Sequence, residues 1–320
     1  MPDFAAALTS RTLVLDGGLS NQLASQGHDL SDALWSARLL RDDPAAIVRA
    51  HLAYFMAGAS VAITASYQAT REGFERFGIG ERETAVLLAR SVALAREAAE
   101  RAAALGVTRP LFVAASVGPY GAMLADGSEY RGRYGLSVAA LAGFHRWRME
   151  VLAAAEPDVL AIETIPDADE AQALVAIVAD LGTPAWLTYS AAGTATRAGQ
   201  PLTEAFALVE GVGSIVGTGV NCCVPRDADR AVALAAATGK PVVVYPNSGE
   251  DWDAETRSWR GAATFTPERV AGWRAAGARL VGGCCRVGPD QIRLIADAVG
   301  DLDPPPPAPP EEPGTPPGKD

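Results

Sequence analysis

The chain has 320 residues, 49% of them hydrophobic, and a formal net charge of −11. An acidic surface repels nucleic-acid phosphates and anionic membranes, so neither is an expected partner. No apolar run approaches the roughly 20 residues that span a bilayer. The N-terminus also lacks the basic and apolar regions of a signal peptide, which points to a cytoplasmic protein.

Eight short apolar runs punctuate the sequence: Thr12–Leu15, Val61–Thr64, Leu111–Ser116, Val159–Glu163, Ala185–Tyr189, Ile215–Val220, Val242–Tyr245 and Leu280–Gly283. Most are rich in β-branched residues, and their shortness predicts strands. Helical patterning fills the gaps. Asp43 and Pro44 open a helix as N-cap and first-turn proline; Ile47, Val48, Leu52 and Phe55 form its apolar face, and Gly58 closes it. Glu83–Leu105 reads as a long Ala/Arg-rich helix. Asp167 with Glu170 has the form of a capping box before Ala171–Leu181, and Thr266-Pro267 starts another helix. Strand then helix, repeated eight times over about 300 residues, predicts an α/β fold, a single-domain (β/α)8 TIM barrel covering residues 1–302. A doubly wound open sheet is the alternative. No G-x-G-x-x-G follows any of the strands, which disfavours that sheet and a dinucleotide cofactor. Residues 303–320 are Pro- and Glu-rich and are expected to form a disordered tail.

Barrel enzymes place their chemistry at the C-terminal ends of strands. Here those ends read Asp16-Gly17-Gly18, Ser66-Tyr67-Gln68, Ser116 to Gly121, Glu163-Thr164, Asn221-Cys222-Cys223 and Gly282-Gly283-Cys284-Cys285. All four cysteines therefore converge on one rim. Zinc prefers thiolate sulfur; three thiolates leave a coordination position open for catalysis, whereas four close a structural site. A small buried hydrophobe is the alternative role for any one cysteine. In a reducing compartment, metal ligands or buried thiols are expected over disulfides. Spacing alone does not separate three ligands from four. The histidines are expected to be structural: His28 in a polar loop, His51 and His145 in helices away from strand ends. Trp252, Trp259 and Arg260 follow the seventh strand, where they either cover the mouth or pack an interface.

These motifs resemble those of the homocysteine S-methyltransferases, over roughly Arg11 to Gly300. Asp16-Gly-Gly is similar to the opening turn of that family, and Gly219-Val-Asn-Cys222 and Gly282-Gly-Cys-Cys285 to its two metal motifs. The resemblance implies Zn2+ held by Cys222, Cys284 and Cys285, with Cys223 a bystander. Ile63–Thr70, Ser116–Ala122, Leu124–Tyr130 and Tyr245–Gly249 resemble the S-methylmethionine-dependent branch. The implied reaction is methyl transfer from that sulfonium, or more slowly from S-adenosylmethionine, to the thiol of homocysteine, forming methionine. Betaine as donor or selenocysteine as acceptor are the alternatives. A non-catalytic zinc-binding or thiol-redox protein is an alternative of another class, weakened for redox by the lack of C-x-x-C.

Homocysteine carries an ammonium, a carboxylate and a thiol. Asp16 and Glu163 are expected to clamp the ammonium, and Gly17 and Gly18 to let backbone amides approach the carboxylate. Ser66 and Tyr67 are expected to line the pocket, Tyr67 through cation–π attraction to the sulfonium. Asn221 is expected to orient the loop carrying Cys222. The plainer roles are a turn cap for Asp16, a rim-arginine partner for Glu163 and core packing for Tyr67. No catalytic residue beyond the zinc ligands is expected, and the oligomeric state stays open.

Overall fold

The computed structural model describes residues 3–30, 34, 36–253 and 258–300. All eight predicted runs form strands: β1 (Leu13–Val14), β2 (Val61–Ile63), β3 (Phe112–Val117), β4 (Val159–Ile165), β5 (Ala185–Tyr189), β6 (Ile215–Asn221), β7 (Val242–Tyr245) and β8 (Ala278–Val281). They pair in parallel in sequence order, and β8 returns to β1 through the registers Leu13–Leu280 and Val14–Val281. A parallel bridge between Leu15 and Val61 joins β1 to β2 and closes the barrel.

Side chains alternate along the strands, as the period of two requires. Leu13, Leu15, Val61, Phe112, Ala114, Val159, Ala161, Trp186, Val243 and Leu280 fill the barrel interior. Their neighbours Val14, Ala62, Val113, Leu160, Leu187, Val244 and Val281 face the surrounding helices. A short helix, Phe4–Ser10, plugs the interior from the N-terminal side, its Phe4 ring packed edge-on against Phe112 at 5.3 Å. The opposite end is left for chemistry.

The helix Pro44–Ala57 starts and stops where expected. The Asp43 carboxylate accepts the Ala46 amide at 3.1 Å, and Gly58 adopts the left-handed φ of 115°. Asp167 caps the helix Ala168–Leu181 through the Asp169 amide at 3.0 Å. The expected capping box does not form, because Glu170 turns inward. Its carboxylate accepts the Tyr120 amide at 2.6 Å and meets His145 Nε2 at 2.8 Å. Among the described residues no helix is long and apolar enough to cross a membrane. The Pro-rich stretch at 303–320 and the side chains of Trp252 and Trp259 lie outside the described residues.

Candidate metal and substrate site

Two loops bring the cysteines together. Beyond β6, Cys222 takes the left-handed φ of 47°, an uncommon conformation for a side chain and one that turns the strand end sharply. Beyond β8, a Cβ on Gly283 would lie 2.1 Å from Val287 Cγ1, and one on Gly282 would lie 2.6 Å from Leu15 Cβ. Only glycines let this loop descend close enough to the barrel to aim Cys284 and Cys285 at the mouth. The segment after β7 braces it. Cys284 N donates to Pro246 O at 2.8 Å, Cys285 N to Asn247 Oδ1 at 3.2 Å, and Ser248 N to Cys285 O at 3.0 Å.

The sulfurs of Cys222, Cys284 and Cys285 all lie within 4.8 Å of one another. Cys285 Sγ stands 3.9 Å from Cys222 Sγ and 4.0 Å from Cys284 Sγ. The sulfurs of Cys222 and Cys284 make the closest contact of the trio, with their Cα atoms 5.6 Å apart, a spacing that allows either a disulfide or a shared metal ion. The trio fits a soft divalent cation by its donor chemistry. Burial pushes the Cys285 thiol up to about 11, so neighbouring thiolates here require a positive charge among them. Cys223 is fully buried in the layer between barrel and helices, and burial pushes its thiol up to about 12.

The same cavity is walled by carboxylates. Asp16, 1% exposed, accepts the Ile63 amide through Oδ2 at 2.8 Å, while its Oδ1 has no hydrogen-bond partner. Burial holds its pKa well above the usual range, opposed by that amide and reinforced by the charge of Glu163. Glu163 accepts Ser116 Oγ and, at 3.1 Å, Tyr245 OH. Burial raises it to about 7 against those two bonds. Both acids thus meet neutral donors, neither the turn cap nor the rim arginine of the plainer roles. His51 lies closer to the chemistry than its sequence position suggests. Its Nδ1 is 3.9 Å from Asp16 Oδ2, and burial lowers it to about 4, so the ring is neutral.

Tyr67, Gly17 and Gly18 line the cavity as expected; Ser66 and Asn221 do not. Ser66 Oγ bonds Thr64 Oγ1 and Ser116 O, at 2.7 and 2.8 Å, behind the wall. Asn221 ties two strand ends together. Its Oδ1 accepts the Thr164 amide at 2.7 Å and Thr188 Oγ1 at 2.9 Å, and its Nδ2 donates to Thr164 Oγ1 at 2.8 Å. This bracing secures Thr164 at a φ of 62°, a rare state for a β-branched residue, just after Glu163. The Gly18 amide already donates to Val287 O at 3.0 Å. A Cβ there would lie 2.8 Å from Cys284 O, so Gly18 serves close packing against the cysteine loop.

Glu129, Tyr130 and Tyr245 were not singled out as site residues from the sequence: the first two lie on a loop turn, and Tyr245 ends β7. Tyr130 OH points at Cys222 Sγ at 3.9 Å; Glu129 lies beside it, 4% exposed; and Tyr245 OH gathers Trp186, Thr188 and Glu163. The signal was present only as the loop stretches Leu124–Tyr130 and Tyr245–Gly249.

Residues 13–299 match the family model described as homocysteine S-methyltransferase. Homocysteine S-methyltransferase 4 of Zea mays is 46% identical over 303 residues, covering 89% of each chain. A selenocysteine methyltransferase of Astragalus bisulcatus is 41% identical, over 89% of this chain and 91% of its own. The metallated form of the Escherichia coli homocysteine methyltransferase MmuM superposes with a TM-score of 0.84 at 40% identity, over 92% of this chain and 99% of that one. The chain belongs to the homocysteine S-methyltransferase family.

Proposed function

We propose that the chain moves a methyl group from S-methylmethionine to the thiol of homocysteine, with zinc held by Cys222, Cys284 and Cys285. The observation that carries this reading is the placement of three convergent sulfurs on the same cavity as two buried carboxylates without cationic partners. Held by these three sulfurs, zinc would lower the pKa of an incoming thiol and so supply a thiolate at neutral pH. Asp16 and Glu163 hold the homocysteine ammonium: Asp16 Oδ1 is buried and unpartnered, and the Glu163 carboxylate is oriented by Ser116 and Tyr245. Asn221 and Asn247 keep the strand ends that carry Glu163 and Cys285 in register. Tyr67 and Tyr130 present ring surfaces suited to a sulfonium.

In the reaction, the homocysteine sulfur forms a bond to the methyl carbon as the carbon–sulfonium bond breaks. The electron pair of that bond stays on the departing sulfur, so a neutral thioether leaves and no residue need protonate it. The protein's main contribution is holding two reactants in line. A selenol acceptor is the second reading, favoured by the likeness to the Astragalus enzyme. The test is metal content together with methionine formation from homocysteine and S-methylmethionine. One tightly held zinc and stoichiometric methionine are expected. A zinc-loaded protein that makes no methionine with any sulfonium donor overturns the proposal.

A further inference from the structure

Glu129 is a third buried carboxylate in the cavity, and the transfer described above gives it no task. It sits in the tight turn Ser128–Tyr130, entered through Gly127 at a φ of 81°. A Cβ on Gly121 would lie 2.5 Å from Glu129 N, so the turn is packed hard against the β3 loop. Glu129 Oε2 is buried and has no hydrogen-bond partner. The nearby Arg131 is 65% exposed and bonds Ser128 Oγ at 2.7 Å and the Asp126 carboxylate at 3.5 Å. A buried carboxylate left short of a cation costs stability unless a ligand supplies one.

The charges of the two substrates decide which cation that is. Homocysteine and S-methylmethionine bring two α-ammonium groups and one sulfonium. Asp16 and Glu163 line the cavity together, the charge of Glu163 raises Asp16, and the reading above gives both to the homocysteine ammonium. Glu129 lines the same cavity and adjoins Tyr130, whose hydroxyl lies 3.9 Å from Cys222 Sγ. With Asp16 and Glu163 given to the homocysteine ammonium, Glu129 is the remaining carboxylate among the described residues of the cavity, and it lies beside the sulfurs at which the donor must meet the thiol. An anion touching the sulfonium would stabilise the ground state more than the transition state, because that positive charge vanishes as the methyl leaves. The donor's ammonium keeps its charge throughout, so binding it costs no rate.

We infer that Glu129 binds the α-ammonium of the methyl donor and so selects amino-acid sulfoniums over sulfoniums that lack an ammonium. The inference rests on the methyl-transfer reading of the site. An interaction equal in ground and transition states appears in KM and not in kcat.

The test compares wild-type holoenzyme with Glu129→Gln on two donors: S-methylmethionine, and dimethylsulfoniopropionate, which has the sulfonium and carboxylate but no ammonium. For S-methylmethionine the expected result is a KM rise of about tenfold or more, with kcat and the homocysteine KM changed less than about twofold. Calorimetric titration of S-methylmethionine should weaken by the same factor, and the KM for dimethylsulfoniopropionate should not move. An unchanged homocysteine KM also shows that the variant is folded. Equal losses for both donors, or a loss confined to homocysteine, overturn the assignment. If the wild type uses S-adenosylmethionine and not S-methylmethionine, the donor reading fails, and the same variant measured with that ammonium-bearing donor still decides the role of Glu129.

Discussion

The barrel mouth and the layer between barrel and helices both bury polar groups, but they treat them differently. In the layer, Arg148, His145 and Glu170 form a chain. Arg148 donates to His145 Nδ1 at 2.7 Å and also to Gly118 O, which leaves Nε2 of the neutral imidazole to donate to Glu170 at 2.8 Å. Cation and anion are both present, so their charges offset each other, while Arg148 Nε and Nη1 and Glu170 Oε2 stay without hydrogen-bond partners and burial still raises Glu170 to about 8. At the mouth, Asp16, Glu163 and Glu129 have amides, hydroxyls or nothing. Buried charge that the fold completes is architecture. Buried charge that the fold leaves short is waiting for a ligand.

Adjacent cysteines give the sharpest way to break this contrast. Cys222 faces the mouth and Cys223 faces the layer. Cys222→Ser should lose zinc and at least about 100-fold in activity, since a three-ligand site has no spare donor. Cys223→Ser should keep zinc stoichiometry and most activity while losing some thermal stability. Equal zinc loss in both variants, measured by elemental analysis, would mean that the two sides are not distinct.

The carboxylates give the next largest effect, again as a pair. Glu163→Gln should raise the homocysteine KM by about 10- to 100-fold, the worth of a charge-assisted hydrogen bond, with little change in thermal midpoint. Glu170→Gln should do the reverse. Removing the anion leaves Arg148 uncompensated and should lower the midpoint by roughly 5–10 °C, with the homocysteine KM nearly unchanged. A Glu170 variant that loses homocysteine binding first would place that network within the substrate site.

Much of this division was legible in the sequence, and the limits have physical causes. The strands showed because each run is short, apolar and β-branched, and the cysteines showed because they lie directly at strand ends. His145 lies in a helix, where the sequence placed it, and its ring bonds Glu170 and Arg148. His51 was not placed against Asp16, because the side of a helix that meets a strand end depends on packing angle, not on spacing. Glu170 fitted a capping box by spacing alone, yet the stronger donors Tyr120 N and His145 lay on elements distant in sequence. Glu129 and Tyr130 were hidden for a related reason: their turn folds back over the mouth from a loop, where no periodic pattern reports direction.

The pH response separates the two regions more finely. Burial raises Glu163 in the folded chain from its ordinary value to about 7. The stability tied to its protonation is fully present below the unfolded value and is lost as pH rises through 7. Homocysteine capture has the opposite sign, since only the ionised clamp attracts an ammonium. Between pH 5 and about 7.5, thermal stability of the substrate-free protein should therefore fall while kcat/KM for homocysteine rises. Glu163→Gln should flatten the kcat/KM slope and make the stability slope shallower, the remainder coming from Asp16, which burial raises, and Glu170, which burial raises to about 8. A wild-type midpoint that climbs over this range would contradict the assignment of a ligand-starved acid.

Glu129 offers the smallest expected shift and the most direct test of the contrast. Burial raises its pKa, and the exposed Arg131 guanidinium offsets this only weakly. Replacing the carboxylate with a neutral amide removes an uncompensated buried charge, so the substrate-free Glu129→Gln variant should melt about 1–3 °C higher than wild type at pH 8. Saturating S-methylmethionine should reverse the order, because only the wild type regains its missing cation and with it the stabilisation of binding. A layer residue such as Glu170 cannot behave this way, since its cation is already in place. If Glu129→Gln melts lower than wild type without ligand, the acid is completed by the fold, and the mouth and the layer follow one rule after all.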